Sequence, residues 1–291
     1  MQSNGIPMPT LKQITKWTYA PLMLLTFNGA AIALVHSGAP KASLAGLLLA
    51  AIAMSFLAER FIPYHEDWNH PKGDTLRDGL HALVNEGSIA VSVLLIPIMA
   101  AIVPFPPIWP GSWPLWAQLL LAILVADAGI TVIHWASHHN KFLWRFHAVH
   151  HSVTRMYGFN GLMKHPVHQA IELMAGTAPL ILAGMPLDVA VLLAFAVAVQ
   201  LLLQHSNTDM KIGALRHVLA LAPVHRFHHL KSSAEGNVNF GLFTTFWDRL
   251  LGTAHFDADR PFFSGDLGIE NAADYPSTYT GQLVRPFLGD G

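Results

Sequence analysis

Residues 115–151 read LWAQLLLAILVADAGITVIHWASHHNKFLWRFHAVHH, an apolar run that passes directly into histidines. The segment Leu115–Ile133 is 19 residues long, enough to cross about 30 Å of hydrocarbon at about 1.5 Å per residue. Its single ionisable residue is Asp127. Two histidine groups follow, His134-Trp-Ala-Ser-His138 and His147-Ala-Val-His150-His151. On a helix, residues three and four apart share a face, so each group can aim two or three imidazoles at one point. Fold and chemistry therefore meet at the end of one membrane-spanning helix.

Outward from this stretch, Trp17–Val35, Ala42–Ala58 and Gly87–Val103 have similar length and character, which makes four expected crossings. Ala170–Ala183 and Val189–Leu203 are shorter and are separated by Gly184-Met185-Pro186-Leu187-Asp188, which predicts a short apolar hairpin, either transmembrane or re-entrant. The expected fold is an all-α integral membrane protein: four long transmembrane helices plus that hairpin, with a cytoplasmic histidine-rich helical cap. Residues 1–119 form an N-terminal transmembrane region and 120–253 a histidine-bearing domain with membrane helices. Residues 254–291, rich in Pro, Gly and acid, form a soluble cover with few helical signals, and all three make one structural unit. Orientation follows from charge. With six crossings and an inside N-terminus, only Lys41 of the 17 Lys and Arg falls in an outside loop, which places the histidine clusters on the cytoplasmic side.

Composition agrees. The chain is 52% hydrophobic and 12% charged, against roughly 25% charged in soluble domains. A net charge of -1 gives nucleic acid no basic surface to bind. The absence of cysteine excludes disulfides, thiolate-ligated haem, thiolate zinc sites and cysteine-bound iron–sulfur clusters, so any metal is held by nitrogen and oxygen. Of 18 histidines, most lie between His134 and His229. A third group, His225-Arg-Phe-His228-His229, repeats the HxxHH pattern, and His205 ends the sixth apolar stretch. One tetrahedral zinc takes three or four ligands, so the eight cluster histidines (His134, His138, His147, His150, His151, His225, His228 and His229), with His205 as a ninth candidate, imply two metal ions or a large redundancy. An aromatic and apolar shell around the clusters points to a substrate arriving from the bilayer, and oxidising its unactivated C–H bonds requires a redox metal and O2.

Further candidates lie beside the clusters. Asp127, two turns before His134, is an expected acceptor for a ligand imidazole N–H. His165, His168 and Glu172 are candidate additional ligands or acceptors. His36, His65, His70, His81, His217 and His255 are expected to be interfacial or loop residues. His138 and His139 separate by helical phase: His138 lies about 40° from His134 and His139 about 140° away, so only His138 shares its metal.

These residues resemble the fatty acid hydroxylase superfamily, which includes sterol desaturases, sterol methyl oxidases and alkylglycerol monooxygenase. The resemblance covers about 120–253. It rests on Asp127, His134-x3-His138, the two HxxHH groups, His165-Pro166, His205, Asn239-Phe240-Gly241 and Trp247-Asp248-Arg249-Leu-Leu-Gly252-Thr253. It implies two iron ions, O2 as co-substrate, hydroxylation or desaturation of a lipid, and electrons from a separate donor, a ferredoxin, a cytochrome b5-like protein or a reductase. It also brings in Asn239 as a candidate outer acceptor. Trp135, Asn237 and His168 depart from the usual pattern and leave the lipid open among ornithine lipids, sterols, ether lipids and fatty acyl chains. Two other classes compete. A histidine-rich metal transporter would hold its site near the bilayer midplane, and a b-type haem protein would need one ligand on each of two spans, not triads.

Overall fold

The computed structural model describes residues 9–272 and 274–288. It is all-helical, and among the described residues strand pairing is limited to isolated bridges such as Pro63 with Thr208. Eleven α-helices follow in order: α1 (Leu11–His36), α2 (Ala42–Phe61), α3 (Thr75–Ala101), α4 (Leu115–His139), α5 (Lys141–His151), α6 (Pro166–Leu182), α7 (Leu187–Gln204), α8 (Ala222–His225), α9 (Ser233–Gly236), α10 (Phe246–Leu251) and α11 (Tyr279–Val284). Thr10 and Gln13 close a capping box at the start of α1, and Asn140 caps α5 by accepting from the backbone N–H groups of Phe142 and Leu143.

Among the described residues, five helices are long and apolar enough to cross a membrane: α1, α2, α3, α4 and α7. The expected hairpin exists as α6 and α7, joined through Gly184 at φ 84. It is not peripheral, and α7 belongs with the long spans. Nearly three quarters (72%) of the apolar window of α7 is buried, against 22–33% in the other four, and α7 packs against α1, α2, α3 and α4. A helix apolar on all sides suits that central place, whereas the outer helices turn one face to lipid. Helices α4 and α6 approach closely because a Cβ at Gly129 would overlap the Ala175 carbonyl.

The helices also run beyond the apolar stretches that announce them. Helix α3 begins 12 residues before Gly87, and this first part buries Asp78, His81 and Asn85. His81 is therefore not the interfacial or loop residue its surroundings in sequence suggested. It is fully buried, with Nδ1 3.2 Å from the Lys164 carbonyl and Nε2 2.9 Å from Gln282 Oε1 on α11. The C-terminal segment is more structured than its composition indicated, since α11 docks through that contact and Trp68 Nε1 donates to Ser264 Oγ at 2.8 Å.

Candidate metal centre

All nine histidines converge at one end of the bundle, in two adjoining groups. His134, His138, His147, His151 and His228 form the first, and His150, His205, His225 and His229 the second; within each group the ring nitrogens lie within 4.8 Å of one another. Helix α4 supplies His134 and His138 from its last turns, α5 supplies three, and His205 caps the end of α7. Helix α8, opened by Pro223 in its first turn, and the turn after it supply the rest. Each HxxHH motif divides between the groups. The i,i+4 pair His147 and His151 enters the first while His150 enters the second, and the i,i+4 pair His225 and His229 enters the second while His228 enters the first. In α5 a three-residue step falls about 60° from the first residue and a four-residue step about 40° to the other side, so His150 turns toward the neighbouring group, while His228 reaches the first group from the turn after α8. Gly161 makes room for His205, because a Cβ there would stand 2.8 Å from its Nδ1.

The nitrogens are aimed inward from outside. His134 Nδ1 lies 2.7 Å from the Phe240 carbonyl, His228 Nδ1 2.9 Å from the Val238 carbonyl, and His150 Nδ1 3.2 Å from the Met163 carbonyl. His138 Nδ1 lies 2.9 Å from Asn237 Oδ1. Donation from Nδ1 leaves each Nε2 as a lone pair facing the centre. Burial first, and then repulsion between neighbouring imidazoles, holds His147, His150, His151, His205, His225 and His228 well below the ordinary histidine pKa. Burial pushes His229 down to about 3. These imidazoles are neutral at physiological pH, which is the state a metal requires.

Hydrogen bonding alone does not account for the arrangement. His151 Nε2 stands 3.0 Å from His147 Nε2, 3.0 Å from His228 Nε2 and 3.1 Å from His138 Nε2, and one ring nitrogen carries a single proton or a single lone pair. In the second group His205 Nε2 lies 3.2 Å from His150 Nε2 and 3.3 Å from His229 Nε2. His134 Nε2 and both nitrogens of His225 are buried with no hydrogen-bond partner. Separations of 3.0–3.3 Å suit imidazole nitrogens that share one ion at about 2.1 Å from each. The residues present thus fit two adjacent metal ions in nitrogen-rich shells. Imidazole serves iron, zinc, copper and nickel alike.

The fatty acid hydroxylase profile matches residues 119–253, the segment that carries all nine imidazoles. The ornithine lipid hydroxylase OlsE of Rhizobium tropici is 34% identical over 252 residues, covering 84% of this chain and 75% of that protein. The chain belongs to the fatty acid hydroxylase family. Sphinganine C4-monooxygenase 1 of Arabidopsis thaliana is 26% identical over 140 residues, 47% of this chain and 53% of that protein. No solved structure matches the chain. Family and fold together make it a multi-pass membrane protein whose relatives are lipid oxidoreductases.

The outlying candidates take other places in this family member. Asp127 reaches no imidazole. It accepts from the backbone N–H groups of Leu242 (2.9 Å), Phe243 (2.8 Å) and Thr244 (3.0 Å) and from Thr244 Oγ1 (2.6 Å), so it pins the loop whose Phe240 carbonyl faces His134. Asn239, at φ 55, donates to the Val224 and His255 carbonyls and so ties the same loop to α8. His165 caps α6, accepting from Val167 N–H at 3.1 Å, and stands outside both groups. His168 lies beside the centre, its ring centroid 4.4 Å from that of His147, but its Nε2 meets Ser137 Oγ at 2.9 Å. Glu172 is salt-bridged to Lys164 and is not among the grouped residues. Lys164 escaped the sequence reading, because a lone Lys near histidines has no periodicity to mark it, and Asn237, noted there only as a departure from the family pattern, turns out to face His138.

His139 is exposed, stacks on Trp135 and points Nδ1 at the Trp135 carbonyl 2.7 Å away. Helix α4 continues through His139, so the phase difference from His138 holds. We expect His138→Ala to lose metal while His139→Ala keeps its full complement and most of its turnover. Metal content of the two purified variants side by side is the check, and loss of metal in His139→Ala alone would contradict the helical phase.

Proposed function

We propose that this chain is a diiron, O2-dependent hydroxylase of a membrane lipid, with its centre on the cytoplasmic face. The carrying observation is the set of nine converging imidazoles, in two groups without a carboxylate, at the inner end of a largely apolar cavity. Iron bound there supplies the redox chemistry that activates O2 for insertion into a C–H bond. One oxygen atom enters the lipid as a hydroxyl and the other leaves as water, which consumes two electrons and two protons. The electrons come from a separate donor, a ferredoxin, a cytochrome b5-like protein or a reductase. A cleft bordered by Lys141, Trp144 and Lys231 leads to His138, the half-buried member of the nine, and offers that donor an approach.

The cavity lies between α3, α4, α6 and α7, and its rim carries the exposed apolar side chains Leu95, Met99 and Met174. Ile130, Leu201 and Leu242 line both this cavity and the small space against His134, His147, His150, His205 and His225. These apolar walls exclude water from the reacting carbon and admit a chain from the bilayer. Hydroxylation is favoured over desaturation because the two relatives are a hydroxylase and a monooxygenase. Similarity to the ornithine lipid hydroxylase over most of both chains supports a lipid with an amino-acid polar end. The cytoplasmic placement is supported by charge: Lys41, the one basic residue assigned outside, pairs with Asp188 at the start of α7, the end remote from the histidines.

Active preparations should contain close to two iron ions per chain. Chelation should abolish turnover, and ferrous iron but not zinc should restore it, although imidazole lets zinc occupy the sites. One ion or none in fully active protein would sink the dinuclear reading.

A further inference from the structure

The inner end of the lipid cavity is not apolar throughout. Among the described residues, Lys164 and Glu172 are the only charged ones lining it, and both also line the small space beside the imidazoles. They are salt-bridged to each other and nearly inaccessible, with side chains 11% and 5% exposed. A buried ion pair is a poor source of stability, since well-packed apolar residues of similar volume commonly do as well or better. This pair is nevertheless held in place. The Lys164 carbonyl receives Asn85 Nδ2 at 3.0 Å and lies 3.2 Å from His81 Nδ1, and His81 is backed by Gln282. Three buried polar groups on α3 and α11 thus fix the backbone of Lys164, and none of them belongs to the metal groups.

We propose that Lys164 and Glu172 form the binding site for the polar end of a zwitterionic lipid, Lys164 taking its carboxylate and Glu172 its ammonium group. The inference rests on the reading of the cavity as a lipid site. A neutral polar end leaves the pair closed across the entrance. A singly charged one takes one partner and strands the other, an uncompensated buried charge. A zwitterion replaces both at once, opening the pair without leaving either charge bare. With the polar end held between the cavity and the imidazoles and the chain lying back among α3, α6 and α7, the carbon presented for oxidation belongs to the polar-end half of the lipid, not to its methyl terminus.

Binding to metal-loaded, oxygen-free protein, followed by native mass spectrometry, tests this without turnover. The probes are N-palmitoyl ornithine, whose polar end carries a carboxylate and an ammonium group, its methyl ester, and its N-acetyl derivative blocked at the side-chain amine. Wild-type protein should bind the zwitterion at least about tenfold more tightly than either blocked probe. Lys164→Met should erase the difference between acid and ester while keeping the preference for the free amine, and Glu172→Gln should do the reverse. A merely structural pair would not give that crossed pattern. Equal binding of all three probes by wild type, within about twofold, would overturn the headgroup assignment and leave the lipid cavity standing. Failure of all three to bind would overturn the cavity reading and the assignment with it. If both variants lose all three probes equally while retaining their metal, the assignment is also wrong.

Discussion

Replacing His151 with Ala should remove one of the two metal ions and reduce turnover by about three orders of magnitude or more, the scale on which a redox centre is lost, not perturbed. His151 Nε2 stands within 3.1 Å of the Nε2 atoms of His138, His147 and His228, so it is the shared neighbour of the five-histidine group. Its removal takes away the nitrogen around which the others close. The second group, His150, His205, His225 and His229, shares no residue with the first and should keep its ion. His229→Ala should give the converse, emptying the second group and sparing the first. Both proteins should still insert in the membrane, because the five apolar helices do not depend on the metal. Metal analysis beside lipid product analysis checks the pair. Two ions retained together with a tenth or more of the normal turnover in His151→Ala would contradict its place in the shell.

Asp127→Ala should be nearly as damaging, although Asp127 touches no ligand. Its carboxylate accepts from three backbone N–H groups and a hydroxyl of Leu242, Phe243 and Thr244. Asp248 holds the preceding residues, accepting from Phe240 N–H at 2.7 Å and Gly241 N–H at 2.9 Å. Between them the two carboxylates fix the loop that presents the Phe240 carbonyl to His134 and the Val238 carbonyl to His228. Alanine at 127 leaves three buried N–H groups unpaired at about 1–3 kcal/mol each, a large share of the stability of any domain. The expected result is a lowered Tm and a metal affinity reduced about 10–100-fold, the range seen when an outer hydrogen-bond partner is lost. Asp127→Asn should fall between, since one amide oxygen still accepts while its NH2 faces donors. Unchanged Tm and metal affinity in Asp127→Ala would show that the loop holds itself.

These two residues also mark how far the sequence can be read. The convergence of the nine histidines was legible because HxxxH and HxxHH encode helical faces, and the spans because an apolar run of about 19 residues has few other uses. The partition of the histidines into five and four was not legible, since it depends on how α5 and α8 are rotated toward each other. The outer acceptors were hidden for a different reason: the carbonyls of Met163, Val238 and Phe240 belong to the backbone and carry no side-chain signal. Asp127 was rightly marked as too costly to be idle at that depth, but its partners lie more than a hundred residues away. The central place of α7 was obscured by its length, 18 residues, which a buried helix and a short span share. Glu172 drew attention through His168, four residues earlier, and its Oε1 does lie 3.7 Å from His168 Nδ1, but its closer ion-pair partner is Lys164, across the turn at Pro166.

Insertion of an atom of molecular oxygen into a lipid C–H bond is the reaction on which the proposed function stands. Purified iron-loaded protein, given a reduced electron donor, N-palmitoyl ornithine in bilayer nanodiscs and oxygen-18 gas, tests it most directly by mass spectrometry of the extracted lipid. The hydroxylated product should carry one oxygen-18 atom from the gas and none when the label is supplied as water. Product labelled only from water would contradict it and make the reaction a hydration.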